Sequence, residues 1–545
     1  MLSPSTPEAT RNSAHPYRLA LASILLLAVG LRLFLLIAAH ATEEDFYITL
    51  RYVENIAQGV GFVYNPGARV LGTTTPLYTL ALALCIKCGL DPTLGGKLLS
   101  ILAEASGCLF TYRLGRAVGR PGAGLAAALC LAVAPTNLIW ATKGMEVGIV
   151  GAVAVFAWMA WAEHREIPAW IGAALLVLLR IDGVALAVML LIAFFWRDRR
   201  IPWRGLLAFS GLLVPWLLYA TLAFGSPIPV SLQAKLIVYG RLAGPGFPYL
   251  RPFLTLMTHN LLGAFLMLGG LIYVGILPLI GRLSGVKACV APDEDRRGDS
   301  TANGASSPHP AVRPESLLLF PLAWILLYYS SMALSKVFLF GWYFVPPTPI
   351  YYLVSLTGWA LLIEYLMRAG SRNWPHFKES LQNSPLKLAG VTLLSGIMLS
   401  CLIVPRVYMT LKSGQNEEES LRIPIGLWLR EHSAPTDTVM LEPIGYIGYY
   451  SRLPVVDMVG LVSPEVLPFY ASSVPSPNHA MWSQLHPTWI LWRGGQLKEL
   501  REYEAHLPEG EHMEAHYTQV KVWPEGTGSF AEPAVFTLFR RNETR

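Results

Sequence analysis

Three carboxylates stand side by side at Glu43-Glu44-Asp45, directly after an apolar run of membrane length. A carboxylate at a membrane rim can take the proton of a hydroxyl nucleophile. It can also hold a divalent cation against a phosphate. Arg51 and Tyr52 follow on a predicted amphipathic helix, 45–58, and Arg69 lies beyond the turn Asn65-Pro66-Gly67. Either arginine could neutralise phosphate oxygens. The acids also have a local reading, as negative charge at the N-terminus of that helix.

Further ionisable residues fall at predicted membrane edges. Glu146 follows Gly144, where it could serve a site or simply begin a helix. Arg180 and Asp182 lie in or near the membrane, where charge is expensive and usually functional. They could equally neutralise each other at a helix break. Lys235 and Arg241 share a loop with Tyr239, suited to a phosphate or to the headgroup zone. Lys336, Trp342 and Tyr343 form a loop of the interfacial-anchor kind. Glu442–Tyr450 reads as a strand–turn–helix join. Cys85 and Cys88 form a CxxC inside an apolar stretch with no second ligand pair, so they read as small core residues. No metal ligands are assigned, and no Gly-rich nucleotide-phosphate loop is visible.

The elements that must position these residues are membrane helices. The chain has 545 residues, 53% of them hydrophobic and only 14% charged, with a mean hydropathy of +0.44. A soluble domain carries about 25% charge. The composition excludes a disordered chain and a basic nucleic-acid binder, and the net charge of +6 suits basic loops on one membrane side. Apolar segments near 18–40, 74–89, 94–112, 122–140, 146–163, 168–180, 183–197, 203–223, 257–281, 316–334, 343–367 and 387–404 are spanning candidates. The first contains Arg32 and exceeds a signal-peptide core, so it reads as an uncleaved helix despite Ala39-His40-Ala41.

Basic loops set the orientation. Arg113–Arg120, Arg197–Arg204 and Arg368/Arg372 mark the cytoplasmic side, together with the tail 1–17 and a Ser/Pro/Gly-rich linker at 282–314. That leaves 41–73, 141–146, 181–183, 224–256, 335–342 and everything after 405 outside. One conflict follows: two apolar segments lie between 73 and 113, but parity permits one crossing. Segment 74–89 is short and carries Lys87, so one of the pair is expected to be re-entrant or to fail to span. The expected fold is an α-helical polytopic membrane domain, 18–404, of about eleven crossings, followed by a C-terminal extracytoplasmic α/β domain, 405–545. In that domain, helices are expected at 421–431 and 497–506, and strands at 439–441, 455–459, 489–492 and 535–538.

The first outer loop also has a pattern as a whole: Glu44-Asp45-Phe46-Tyr47-Ile48, Arg51-Tyr52, Asn55, Gly59, Gly61, Val63-Tyr64-Asn65, Gly67, Val70, Gly72, Thr74 and Pro76-Leu77-Tyr78. It resembles the first periplasmic loop of GT-C-type, polyprenyl-phosphate-sugar-dependent glycosyltransferases, in the bacterial branch related to arabinofuranosyltransferases of the AftB type. Lys143–Glu146, Arg180–Gly183, Pro229–Lys235, Glu442–Tyr450 and Asp457–Leu461 resemble the same family more loosely. There are departures: Glu44 replaces the first Asp of the pair, Leu71 an acidic residue, and Tyr78 a Trp.

The resemblance implies a GT-C-like fold in a bacterial inner membrane, with the site on the periplasmic side. It implies transfer of a sugar from a polyprenyl-phosphate donor to an acceptor hydroxyl of a glycan, lipid or protein, with inversion. Asp45 is then the expected base and Glu44 the alternative base or a partner. Arg51, Arg69, Glu146, Arg180, Asp182 and Lys235 are the expected donor-phosphate or substrate contacts. A divalent cation is compatible but not demanded. Leu71 argues against assigning arabinosyl transfer itself. Two other classes fit the same composition: a lipid or glycan transporter, whose key charges should sit near the midplane, and a non-catalytic assembly protein.

Overall fold

A run of apolar residues closes its backbone hydrogen bonds internally as helix when the surroundings offer no water. The computed structural model follows that rule, and it describes residues 15–239, 265–275, 314–334, 340–370, 384–471, 473–523 and 536–542. Residues 1–14 of the expected tail 1–17, residues 282–313 of the expected linker 282–314, and Arg241, Lys336 and Arg372 lie outside those residues.

In chain order the helices of the apolar part are α1 (His15–Ala39), α2 (Glu44–Ala57), α3 (Pro76–Lys87), α4 (Pro92–Ala117), α5 (Pro121–Val133), α6 (Pro135–Thr142), α7 (Val147–Ala162), α8 (Glu166–Leu179), α9 (Val184–Asp198), α10 (Trp203–Phe224), α11 (Val230–Ala234), α12 (Phe265–Gly275), α13 (Leu319–Leu334), α14 (Thr348–Gly370) and α15 (Pro385–Glu417). Proline opens α3, α4, α5, α6 and α15, where its missing N–H and fixed φ cost nothing. Among the described residues, five helices are long and apolar enough to cross a membrane by themselves, or six if the bent pair α5–α6 counts as one. The chain is thus built as an integral membrane protein.

The parity conflict resolves at α3. Its twelve residues span about 18 Å, short of a hydrocarbon core of about 30 Å. Contacts place both its ends on one side. Thr75, before it, shares a cleft with Asp45. Lys97, after it, donates to Thr42 Oγ1 at 2.9 Å. α3 is thus too short to span by itself, whereas α4 has 26 residues.

A buried polar network ties the bundle together. α5 and α6 meet at 52° around Pro135, which has no N–H to give the preceding turn. Arg32 donates to the stranded carbonyls of Leu131 (3.3 Å) and Ala132 (2.9 Å). The same guanidinium pairs with Glu104 at 3.1 Å. Glu104 also accepts from Asn137 at 2.9 Å, and Asn137 accepts from Thr348 at 3.2 Å. Arg32 and Glu104 are essentially inaccessible.

α15 does not stop at the membrane edge expected near 404. It continues through Pro405 to Glu417 and carries the chain into the C-terminal part. There, α16 (Ile423–His432), β1 (Val439–Leu441), α17 (Tyr446–Ser451), β2 (Val455–Asp457), α18 (Pro477–Leu485), β3 (Trp489–Arg493), α19 (Gly494–Glu504), α20 (Met513–His516), β4 (Tyr517–Trp523) and β5 (Phe536–Arg541) follow. The sheet order is β2-β1-β3-β5-β4, with β2, β1 and β3 parallel and β5 and β4 antiparallel. Trp489, Ile490, Leu491 and Trp492 of the central β3 are all buried, because helices or loops cover both faces. β4 escaped the sequence reading. It is an edge strand whose interior residues stay largely exposed, so it lacks an apolar stripe.

Candidate active site

α2 begins where α1 ends, and successive residues on a helix diverge by about 100°. The three acids consequently point three ways. Glu43 pairs with Lys143 at 2.6 Å. Glu44 reaches the C-terminal part: it accepts the backbone N–H groups of Gly445 and Tyr446 and pairs with Arg422 at 3.3 Å. Asp45 turns to a cleft lined also by Ile48, Thr49, Gly72–Thr75, Met145, Glu146, Arg180, Ser231, Lys235, Trp342 and Leu461.

Asp45 accepts no hydrogen bond and forms no ion pair among the described residues. Burial pushes its carboxyl up to about 6; Lys235 opposes this, and Glu43, Glu44 and Glu146 add to it. Burial also raises Glu44, against Arg422 and the two backbone donors.

The cations of the cleft differ in kind. Arg180 is held on two sides, by Glu146 at 2.9 Å and by Asp182 at 3.0 Å, and its guanidinium lies 4.9 Å from the centre of the Tyr343 ring. Two carboxylates more than neutralise it. Glu146 makes no capping bond at the start of α7, so Arg180 is its partner. Asp182 joins the site through Arg180. Lys235 sits one turn beyond Ser231, where α11 passes into a wider π-turn, Lys235–Tyr239. It has no carboxylate within 4 Å among the described residues. The segment is anchored by Val230 N–H donating to Leu71 O at 2.8 Å.

The structure brings Asp45, Glu146, Arg180, Asp182 and Lys235 together. It does not bring Arg51 or Arg69 to them. Arg51 is buried, with its guanidinium donating to the carbonyls of Tyr64, Gly448 and Leu453 at 3.0, 2.6 and 2.6 Å. It fastens the first loop to the C-terminal part. Arg69 is exposed. Several other fixed positions of the loop brace it or fasten it in the same way. Tyr64 donates to Ile444 O, and Asn65 bonds both backbone groups of Val455. Asn55 holds the carbonyls of Val63 and Tyr64. Gly72 leaves no room for a Cβ, which would meet Leu461 O and Tyr52 Oη at 2.6 Å. Leu71 is buried in the apolar core shared with the C-terminal sheet, which accounts for an apolar residue there.

Ser231 and the threonines of the cleft fall in stretches named from the sequence but were not among the expected site residues. Thr73 and Thr75 hydroxyls lie 3.1 Å apart and are buried. Their signal was the Thr73-Thr74-Thr75-Pro76 run at the membrane re-entry, where hydroxyls need a polar partner. Among the described residues, no three His, Cys, Asp or Glu side chains converge as a metal-binding group.

An apolar groove adjoins the cleft. It has a volume of about 540 Å³ and is lined by Ile56, Gly59, Gly61 and Phe62 of the first loop, Pro76, Leu77 and Leu80 of α3, Leu178 of α8, and Leu212, Pro215, Trp216 and Tyr219 of α10. Thr75-Pro76 and Leu178–Arg180 connect the two chambers along the chain. A charged cleft opening on an apolar trough can hold an amphiphile, with its polar end beside Asp45.

Residues 409–539 match a family described only as a domain of unknown function (DUF8728). No curated protein matches the chain in sequence. Solved structures are similar in fold. ArnT from Cupriavidus metallidurans in the apo state superposes with a TM-score of 0.53 at 13% identity, covering 98% of both chains. The same protein bound to undecaprenyl phosphate gives 0.53 at 12%, covering 94% of this chain and 97% of that one. An oligosaccharyltransferase from Archaeoglobus fulgidus, in complex with Zn and sulfate, gives 0.53 at 13%, covering 94% and 73%. At these identities the likeness shows a shared fold and nothing more.

Proposed function

We propose that this protein is a membrane glycosyltransferase that moves a sugar from a polyprenyl-phosphate carrier to an acceptor hydroxyl, with inversion. One observation carries the reading: Asp45, a carboxylate held near 6 with no hydrogen bond or ion pair among the described residues, lines one cleft with Lys235 and Arg180, and chain neighbours of that cleft line an apolar groove. The shared fold and the first-loop resemblance support the same donor class, as does the undecaprenyl phosphate bound to ArnT.

The carrier's tail lies in the groove and its phosphate beside Lys235. The acceptor O–H gives its proton to Asp45 as its oxygen attacks the anomeric carbon. The bond from that carbon to the phosphate oxygen breaks, and the electron pair leaves on the lipid phosphate. Lys235 neutralises the developing charge, and Arg180 adds its field. Asp45 then returns its proton to water. Glu44 is a positioning residue that seats α2 on the C-terminal part. Glu146 and Asp182 orient Arg180. Arg51 and Arg69 take no part in the chemistry, and no step requires a metal ion.

The site lies on the extracytoplasmic side in this reading, with the C-terminal domain over it. A glycan, lipid or protein can supply the hydroxyl. We do not assign arabinosyl transfer, because Leu71 replaces the acidic residue of that branch. A transporter reading has less support. The most deeply buried ion pair described within the helical bundle, Arg32 with Glu104, is engaged by Asn137 and backbone carbonyls.

The test is a transfer assay in membranes with extracted polyprenyl-phosphate sugars, wild type against Asp45→Asn at matched expression. Donor consumption and a new glycan, read by mass spectrometry, are expected from wild type alone. Equal consumption by both would remove Asp45 as the base. No consumption by wild type across a broad donor panel would overturn the reading.

A further inference from the structure

Ser231 is 3% exposed, lines the cleft, and its Oγ has no hydrogen-bond partner among the described residues. A buried hydroxyl without a partner forfeits a favourable interaction that folding normally retains. Such groups call for an explanation, and a ligand's acceptor atom is one. The local backbone explains why the hydroxyl is held there. Val230 N–H is tied to Leu71 O, one residue from Gly72, whose close packing against Leu461 fixes that wall of the cleft. Ser231 and Lys235 are four residues apart, so they lie above one another on one helical face. Both line the cleft that Asp45 enters. Arg180 is committed to Glu146 and Asp182, so the Lys235 ammonium and the Ser231 hydroxyl are the donors left for an incoming anion on this wall.

We propose that Ser231 is a donor-binding residue whose Oγ–H donates to a phosphate oxygen of the lipid carrier while Lys235 holds the phosphate's charge. This rests on the function proposed above and goes beyond it by naming the group that reads the phosphate. A hydroxyl and an ammonium together fit a tetrahedral oxyanion better than a sugar, whose hydroxyls would not need the cation.

The test measures binding of undecaprenyl phosphate and of undecaprenol to the full-length protein in nanodiscs, by native mass spectrometry, for wild type and Ser231→Ala. The variant is expected to bind undecaprenyl phosphate about tenfold more weakly. Its affinity for undecaprenol should not change. Its thermal midpoint should match or exceed that of wild type, because the deleted hydroxyl has no partner to strand. Equal affinity of both proteins for undecaprenyl phosphate would overturn the assignment. So would equal weakening towards the alcohol, which would make Ser231 part of the groove's shape, and so would a loss that accompanies a lowered midpoint. A wild type that does not prefer the phosphate to the alcohol would overturn the proposed function as well. An intact preference lost from neither protein would overturn this inference alone.

Discussion

Glu44 and Asp45 share a peptide bond, yet their carboxylates serve different parts of the molecule. Glu44 is clasped by Gly445, Tyr446 and Arg422 of the C-terminal part. Asp45 stands unpartnered in the cleft beside Lys235. The division separates a residue that places the helix from one that is free to exchange a proton.

Asp45→Asn should abolish transfer, by at least about a hundredfold in kcat, the range expected for a positioned general base. It should also stabilise the protein. The carboxyl is raised from its ordinary 3.8 to about 6 in the folded state. The folded state therefore holds the proton more tightly than the unfolded one. Stability falls as pH rises from about 4 to 6, and by pH 7 the loss is on the order of 3 kcal/mol. Asn carries no charge to desolvate, so its melting midpoint at pH 7 should rise; a fall would contradict the unpartnered placement.

The same shift sets a pH dependence. The base works only when ionised, so kcat/KM should rise about tenfold per pH unit below about 6 and level off above it. A profile flat from pH 5 to 8 would exclude Asp45 as the group whose ionisation limits transfer.

Glu44→Gln should show the reverse of Asp45→Asn. The amide oxygen can still accept from Gly445 or Tyr446, but Arg422 loses a charged partner. The expected result is a lower midpoint, a destabilisation of about 1–3 kcal/mol, with at least a tenth of kcat kept. A complete loss of kcat at an unchanged midpoint would move the base to Glu44.

Lys235→Met and Arg180→Met should likewise separate. Lys235 forms no ion pair within 4 Å among the described residues and only moderates the charge of Asp45, so its loss should shift the midpoint less than loss of Arg180 and lower kcat/KM about a hundredfold. Removing Arg180 leaves Glu146 and Asp182 uncompensated and should cost about 3–5 kcal/mol of stability. Thermal scans beside kinetics would tell the two apart.

Arg32→Met removes the cation that satisfies Glu104 and the two carbonyls stranded at Pro135. About 3–5 kcal/mol should be lost. Adding Glu104→Leu should restore part of it, since the second change removes the buried, unpaired carboxylate. A double-mutant cycle on thermal midpoints in detergent gives the coupling, and strict additivity would count against the pair.

What the sequence by itself determined was the class of molecule. Apolar runs of membrane length are a local property, so α1, α10 and α13 could be placed near their true limits, and α14 and α15 could be located though not bounded. The change in composition after 404 announced the C-terminal part, and the patterns at 439–441, 455–459, 489–492 and 535–538 gave four of its described strands, all but β4. Glu44, Asp45, Arg180 and Lys235 were legible as chemistry because charge at a membrane edge is costly. Tertiary structure alone decided which of them act together. Arg51 looks like a phosphate ligand until the fold brings Gly448 to it across 397 residues. Adjacent acids are equivalent in a sequence, and only the turn of α2 sends one into a joint and the other into a cleft. The path of α3, and the orphaned hydroxyl of Ser231, likewise depend on contacts between distant segments. Hydrophobicity can be summed along a chain, but the direction of a side chain and the company it keeps exist only after packing.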